Sequence, residues 1–271
     1  MAIKRVLLPL VGTGIAEPLA RCAFGIGCMH QAQVRALVLQ REPQSVDFPD
    51  RAESADLQQE FVAEARRERE QAILALAAPY QPLELEVSIK SGDIAPTVAH
   101  AARLSDIAVI GAGSGFDEAR WRDVCEAALF QSGRPVMVVP RMGVEERAFE
   151  RIVIAWKESI EAARAVAAAQ PFLERAREVH LVTVGESERA VQSLEDVEKY
   201  LQLHYSEVRS EVVPYEPRAE TADTLLDRAQ ARGDALLVMG AYSHWRWREQ
   251  VFGGVTEAVL ARAWSPVLMA H

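Results

Sequence analysis

Glycine and hydroxyl residues that could bind a phosphate are concentrated in one segment near the C-terminus. The apolar run 235–239 ends at a glycine, and a pair of glycines follows at the start of an amphipathic stretch. This order predicts a buried strand, a loop and then a helix, whose first turn presents unpaired backbone N–H groups and a partial positive charge. The candidate ligand residues are Gly240, Ser243, Gly253, Gly254, Val255 and Thr256. The segment therefore predicts where an anion would bind.

One cation is expected to share the crevice with this segment. Lys157 follows the apolar run 151–156, which opens the second half of the chain. A lysine neutralises a phosphate directly but does not ligate a metal ion. The alternative is a surface lysine paired with Glu158 or Glu161, and such a pair contributes little energy. Both interpretations of Lys157 stay open at this point.

The glycines and Thr256 also have interpretations that involve no ligand. Glycine supplies positive φ angles where a strand meets a loop and where a helix begins. A threonine early in a helix can cap the backbone with its hydroxyl group. The aromatic and basic loop 244–248 could stack on single-stranded nucleic acid. The net charge of −9 argues against that partner, so we expect this loop to cover the crevice or to pack on a neighbouring domain.

Composition and simple motifs exclude several other classes of protein. In 271 residues there is no apolar run of about 18 residues that could cross a membrane. The N-terminal apolar stretch is too short for a signal peptide, so we expect a cytoplasmic protein. Cys22, Cys28 and Cys125 match no metal or redox spacing and are predicted to be buried free thiols. No catalytic constellation emerges, so we expect that the chain is not an enzyme.

The elements that position these residues occur twice. Strand-like apolar runs alternate with helical stretches throughout, which predicts parallel sheets with helices on both faces. Asp106 precedes the run 107–111 as Asp234 precedes the run 235–239, and Pro135 and Pro266 open the last run of each half. The offset is about 130 residues, which indicates a domain duplication.

The duplication predicts an α/β fold of two tandem, doubly wound, five-stranded domains. We place them at residues 1–141 and 150–271, joined by the charged stretch 141–150. In such sheets ligands bind beyond the carboxyl ends of the strands, where the winding reverses. Pro135 and Pro266 favour an edge position for each final strand, since proline lacks a ladder donor. The two edge strands could then pair with each other.

Both halves resemble universal stress protein domains, and the resemblance covers nearly the whole chain. The family pattern places a glycine, two residues and a second glycine after the fourth strand. Nine residues later it has another glycine followed by serine or threonine. Gly240-Ala241-Tyr242-Ser243 and then Gly253-Gly254 keep this spacing, and the ending 265–269 is similar to the family's final strand.

The resemblance implies the strand order 3-2-1-4-5 in each domain and pairing through the fifth strands, which would make the chain an intrachain pseudo-dimer. It also implies a stress-response protein. Some family members bind ATP and others do not. In the members that bind it, the glycine loop holds the phosphates, and an aspartate after the first strand contacts the ribose and metal region.

The sequence departs from this pattern at its functional positions. Ser243 replaces the second glycine, Gly254 replaces the final serine or threonine, and Lys157 occupies the position of the aspartate. In the first half the frame begins at Gly111, but Val124 and Cys125 stand where the glycine and hydroxyl residue are expected. The N-terminal half is therefore predicted to be the degenerate partner.

Two functions remain open on the sequence. The first is a non-catalytic stress-response protein that binds ATP or a related nucleotide or anion in its C-terminal domain, without nucleic-acid or membrane partners. The second is a ligand-free structural or interaction module in which both crevices are degenerate. A slow nucleotide hydrolase is a third reading, which Lys157 in place of the acid disfavours because hydrolysis usually needs a metal ion or a positioned base. A homodimer or an intrachain pseudo-dimer is expected in each case.

Overall fold

The computed structural model describes residues 2–12, 15–40, 54–113, 118–215, 218–233, 235–241 and 254–271. The described chain contains ten strands and eight α-helices. The first half comprises β1 (Arg5–Val11), α1 (Glu17–His30), β2 (Gln33–Gln40), α2 (Ser54–Ala77), β3 (Leu85–Ser91), α3 (Ile94–Arg103), β4 (Ile107–Gly111), α4 (Glu118–Phe130) and β5 (Val136–Val139). The second half comprises β6 (Arg151–Ala155), α5 (Ile160–Leu173), β7 (Glu178–Val184), α6 (Glu188–Gln202), β8 (Val208–Val213), α7 (Arg218–Gln230), β9 (Leu236–Gly240), α8 (Val255–Arg262) and β10 (Val267–Ala270).

All ten strands form one continuous sheet, in the order β3-β2-β1-β4-β5-β10-β9-β6-β7-β8. Each half therefore has the order 3-2-1-4-5, as the resemblance implied. Neighbouring strands are parallel within each half. The fifth strands β5 and β10 pair antiparallel, with Val138 opposite Val267 and Val136 opposite Met269. The expected pairing of the two final strands is confirmed.

The helices divide between the two faces of the sheet. One apolar cluster joins the sheet to α1, α2, α5 and α6, and the other joins it to α3, α4, α7 and α8. In β1, Val6 and Leu8 belong to the first cluster and Leu7 belongs to the second, because successive side chains point to opposite faces. Right-handed crossovers explain this division, since the winding direction reverses after the third strand of each half.

The two prolines lie just before the paired segments of β5 and β10. The carbonyl oxygen of Pro135 accepts a hydrogen bond from Ala108 N at 3.1 Å, and that of Pro266 accepts one from Leu237 N at 2.9 Å. Neither proline is in the β5–β10 register, so the missing N–H groups remove no bond between the halves.

Local signals in the sequence fix several element ends. Ser159 and Ser187 are the N-caps of α5 and α6, and their hydroxyl groups accept hydrogen bonds from Ala162 N and Ala190 N. In the first half, one carboxylate oxygen of Asp106 accepts from the backbone N–H groups of Lys4 and Arg5, at 2.7 and 2.9 Å. This contact ties the start of β1 to the turn before β4.

The connection between the halves is less polar than the sequence indicated. A short 3-10 helix, Glu146–Glu150, precedes β6, and Ala148 and Phe149 within it are buried. The Phe149 ring packs against Phe172 of α5, with the ring centres 5.5 Å apart. The domain boundaries at 141 and 150 stay a prediction.

One cysteine prediction was wrong. Cys22 and Cys125 are buried, and burial raises the pKa of both thiols. Cys28 is exposed, because it lies in the last turn of α1, where its sulfur approaches the carbonyl oxygen of Tyr80 at 3.2 Å. Within the described part of the chain, no helix has the length and apolarity needed to cross a membrane.

Candidate functional site

The candidate site lies at the carboxyl edge of the second half, between β6 and β9. The parallel register places Ala155, the last residue of β6, beside Met239, and β9 ends one residue later at Gly240. Trp156 and Lys157 then follow β6, and Ala241 follows β9. This is the point at which the winding of the sheet reverses, where doubly wound proteins bind ligands.

Gly240 has a steric reason to be glycine. A Cβ atom at this position would lie 2.6 Å from Ala162 N and 2.7 Å from the carbonyl carbon of Glu161. Both atoms belong to the backbone of the first turn of α5, so a side chain has no room there. Gly240 is not among the residues with positive φ. The interpretation of Gly240 as a source of positive φ was therefore wrong. Glycine is needed there because the backbone of α5 approaches it closely.

Gly254 fits the conformational interpretation instead. It is the N-cap of α8 with φ 68° and ψ −122°, a backbone conformation that side chains rarely adopt. Helix α8 begins at Val255, which confirms the predicted helix start. Thr256 is buried in its first turn, with 4% of its surface exposed. The backbone at the start of α8 thus has the shape that the sequence predicted.

Several residues of the predicted site lie outside the described residues. Among the candidate ligand residues these are Ser243 and Gly253, so their role stays a prediction. The aromatic and basic loop 244–248 and Asp234 also lie outside the described ranges. The structure places the end of β6, two residues before Lys157, beside the end of β9 at Gly240. A shared role of Lys157 and Gly240 stays a prediction.

The Lys157 side chain is exposed. The carboxylate of Glu158, one of its two predicted partners, accepts a hydrogen bond from Arg189 Nε at 2.8 Å. The Arg189 guanidinium lowers the pKa of Glu158, mainly through this hydrogen bond. The described residues contain no group of three or more acidic, histidine or cysteine side chains that could hold a metal ion.

The equivalent loop of the first half packs against the second half. Gly113 has φ +70°, and its N–H group donates to the carbonyl oxygen of Leu260 in α8 at 2.8 Å. The carbonyl oxygen of Gly111 accepts a hydrogen bond from the Trp121 indole at 2.8 Å. Val124 and Cys125, at the positions of the missing glycine and hydroxyl residue, lie inside α4 and not at its start. The N–H group of Gly113, which could otherwise bind an anion, thus donates to a carbonyl oxygen of the same chain.

Comparison with known proteins agrees with this architecture. Residues 148–271 match the model of the universal stress protein family. A universal stress protein from Archaeoglobus fulgidus DSM 4304 has a similar structure, with a TM-score of 0.72, 18% sequence identity and coverage of 97% of both chains. No curated protein sequence matches the chain significantly.

Two further structures are similar at lower scores. A functionally unknown protein from Pseudomonas aeruginosa PAO1 has a TM-score of 0.59 and 16% identity, over 99% of this chain and 92% of its own. The cytoplasmic domain of a prokaryotic cation chloride cotransporter has a TM-score of 0.52 and 10% identity, over 99% of this chain and 96% of its own. At these identities the similarity shows the fold alone.

The fold and the reversal point at its carboxyl edge define a doubly wound α/β protein built from two halves of the same topology. Within this class, residues 148–271 belong to the universal stress protein family. The preceding residues form the same fold, and together they have the architecture of the Archaeoglobus protein.

Proposed function

We propose that the chain is a non-catalytic stress-response protein that binds a nucleotide, with ATP as the first candidate, in its C-terminal crevice. The observation that supports this proposal best is the start of α8, where Gly254 holds a positive φ angle and opens the helix. In this arrangement the first N–H groups of α8 and the partial charge of the helix attract a phosphate. Ser243, Gly253, Val255 and Thr256 would contribute the remaining contacts.

Lys157 supports an anionic ligand from the other side of the crevice. Ala155 packs in the cluster that includes α8, whereas Trp156 packs against the opposite face of the sheet. Trp156 N still donates to Val182 O at 2.8 Å, so the chain is extended here and its side chains alternate. We therefore expect Lys157 on the same face as α8, where its ammonium group would meet a phosphate directly.

Direct contact with a lysine favours nucleotide binding that needs no magnesium ion. A metal ion at this position would need oxygen ligands. The nearest carboxylate in sequence, Glu158, is paired with Arg189. We expect affinity to rise with the number of phosphates and to be nearly the same with and without magnesium.

Isothermal titration with ATP, ADP, AMP and cyclic AMP, each with and without magnesium, tests the proposal. Lys157→Gln should weaken ATP binding about tenfold, as expected for the loss of one charged hydrogen bond. Lys90→Gln removes the same charge from an exposed position at the end of β3 in the first half and should leave the affinity unchanged. Absence of binding for all four nucleotides would disprove nucleotide binding.

A second candidate function is a ligand-free interaction module. The hydrogen bond between Gly113 N and Leu260 O favours it, because one N–H group of the first-half loop is already bonded within the protein. A nucleotide detected by mass spectrometry in a denatured extract of the purified protein would contradict this alternative. Slow hydrolysis is tested by phosphate release, and release that survives substitution of Lys157 and Gly253 would come from a contaminant.

The net charge and the pairing of β5 with β10 support proposals about the compartment, the partners and the oligomeric state of the protein. We propose a cytoplasmic protein that binds neither nucleic acid nor membranes, in agreement with its net charge of −9. Because β5 pairs with β10 of the same chain, the pairing expected of two separate domains is made within one polypeptide. Size-exclusion chromatography with light scattering should therefore give the mass of a single chain.

A further inference from the structure

A groove lies on the opposite face of the sheet from α8, between the loop after β6 and helix α6. Its volume is about 530 Å³, within the range of small-molecule sites. Its walls are formed by Trp156, Ser193, Val197 and Tyr200, together with charged side chains at its mouth. Since Trp156 packs on the face opposite Ala155, this groove is separate from the crevice proposed for the nucleotide.

The apolar part of the groove is built from two aromatic side chains and a valine. Val197 is almost fully buried and forms part of the floor. The Trp156 indole is held in place by its N–H group, which donates to Ser193 Oγ at 2.9 Å. Tyr200 is 54% exposed, so much of its ring is open to a ligand. A fixed indole and an exposed phenol ring offer electron-rich faces that attract cations.

The charges around the groove favour a positively charged ligand. Helix α6 carries four acidic residues, Glu188, Glu195, Asp196 and Glu198, and two basic ones, Arg189 and Lys199, so its net charge is −2. Asp196 and Glu158 both line the groove. Their existing partners are exposed: Arg189 pairs with Glu158 at 2.8 Å, whereas Asp196 accepts a hydrogen bond from Gln192 Nε2 at 3.2 Å and is approached by Lys199 at 4.0 Å.

These ion pairs are weak enough for a ligand to replace. The Arg189 side chain is 84% exposed and that of Lys199 is 69% exposed. Exposed pairs of this kind contribute little to stability, because water and salt screen the two charges. A cation that also stacks on Trp156 or Tyr200 gains an aromatic contact in addition to the ion pair.

We propose that this groove binds a small organic ammonium ion that carries an apolar group. The apolar group would lie against Val197 and Trp156, and the ammonium group would lie between Tyr200 and the carboxylate of Asp196. An anionic ligand would meet two carboxylates and one guanidinium group, that of Arg189, which is already paired with Glu158. The groove would therefore bind a cation, whereas the crevice on the other face of the sheet would bind an anion.

Nuclear magnetic resonance of the intact chain tests this proposal through the Trp156 indole N–H signal, assigned with the Trp156→Phe variant. Three probes of similar shape are titrated: phenethylammonium, the neutral 2-phenylethanol and the anionic phenylacetate. Phenethylammonium should shift the signal saturably below about 10 mM, the range expected for a cation–π contact with one weak ion pair. The neutral probe should bind more weakly, and the anion should not bind.

Two variants separate the groove from general surface charge. Asp196→Asn should weaken phenethylammonium binding about fivefold, the most that one exposed ion contact provides. Glu195→Gln removes an equal charge from the neighbouring exposed position, which does not line the groove, and should leave the affinity unchanged. Equal binding of all three probes, absence of saturation, or equal effects of the two variants would each overturn the proposal. None of these outcomes bears on nucleotide binding.

Discussion

Replacement of Gly240 by alanine should destabilise the protein, whereas the same replacement at Gly111 should not. The two glycines occupy equivalent positions, as the last residues of β9 and β4. Neither has positive φ, so an alanine can adopt the backbone conformation at both positions. The comparison therefore isolates one variable, the space available for a Cβ atom.

The expected magnitude follows from the distances around each glycine. At Gly240 the new Cβ atom would lie 2.6 Å from Ala162 N, whereas non-bonded carbon contacts are most favourable near 3.5–4.0 Å. Strand β9 and helix α5 would have to separate by about 1 Å, and overpacking of this kind costs about 1–3 kcal/mol. At Gly111 the nearest atom is Leu19 Cδ2 at 3.9 Å, an ordinary contact. There, alanine should be neutral or stabilise by up to about 1 kcal/mol, because it restricts the unfolded chain.

Urea denaturation, followed by circular dichroism and by tryptophan fluorescence, measures the difference. Gly240→Ala should lower the free energy of unfolding by about 2 kcal/mol, or the melting temperature by about 4–8 °C for a chain of this size. The denaturant slope should stay constant in both variants if the folded and unfolded states are unchanged. Equal stability of the two variants would refute the explanation of Gly240 by its contact with α5.

Two further predictions concern single contacts, one between the two halves and one within the first half. His30 packs edge-on against Phe172 of the second half, with the ring centres 5.3 Å apart, and burial lowers its pKa to about 4, assisted by the Arg175 charge. Because its folded pKa lies below the unfolded value, stability should be complete above about pH 7 and decline as the pH falls from about 6.5 toward 4. Since the ring is only half-buried, we expect a loss of about 1 kcal/mol, measured by urea midpoints at pH 7.5 and 5 and reduced in His30→Phe. Asp106→Ala should lower the free energy of unfolding by about 1–3 kcal/mol at neutral pH, since it leaves the N–H groups of Lys4 and Arg5 without their acceptor. A decrease below about 0.5 kcal/mol would show that water replaces the carboxylate.

Much of the fold could be predicted because its strands are buried on both faces. A strand of this kind has a continuous apolar run, such as residues 235–239, which stands out between helical stretches. The repeat then provided the domain number, and Pro135 and Pro266 indicated the strands that join the halves. The buried turn at Ala148 and Phe149 was not predicted, because charged neighbours surround these two apolar residues in the sequence.

The site was less predictable, because its geometry depends on contacts between distant segments. Gly254 has the positive φ that a glycine before a helix suggests. Gly240 is glycine because α5 approaches it, and no local pattern indicates the position of a helix that begins 80 residues earlier. The groove beside α6 was also missed, although Arg189, Ser193, Asp196 and Tyr200 recur at the helical spacing of one face. Only the fold places Trp156 against that face.

The antiparallel pairing of β5 with β10 has a consequence for stoichiometry. Domains made as separate chains can exchange partners, so that different copies mix according to their concentrations. Here the partner of each half is fixed when the chain is synthesised, and the two halves always occur in equal numbers. Antiparallel pairing also directs the carboxyl ends of the two sets of strands to opposite edges of the sheet. A substitution at the strand ends of one half is therefore distant from the strand ends of the other half. The two sets of strand ends can diverge in sequence within a single molecule.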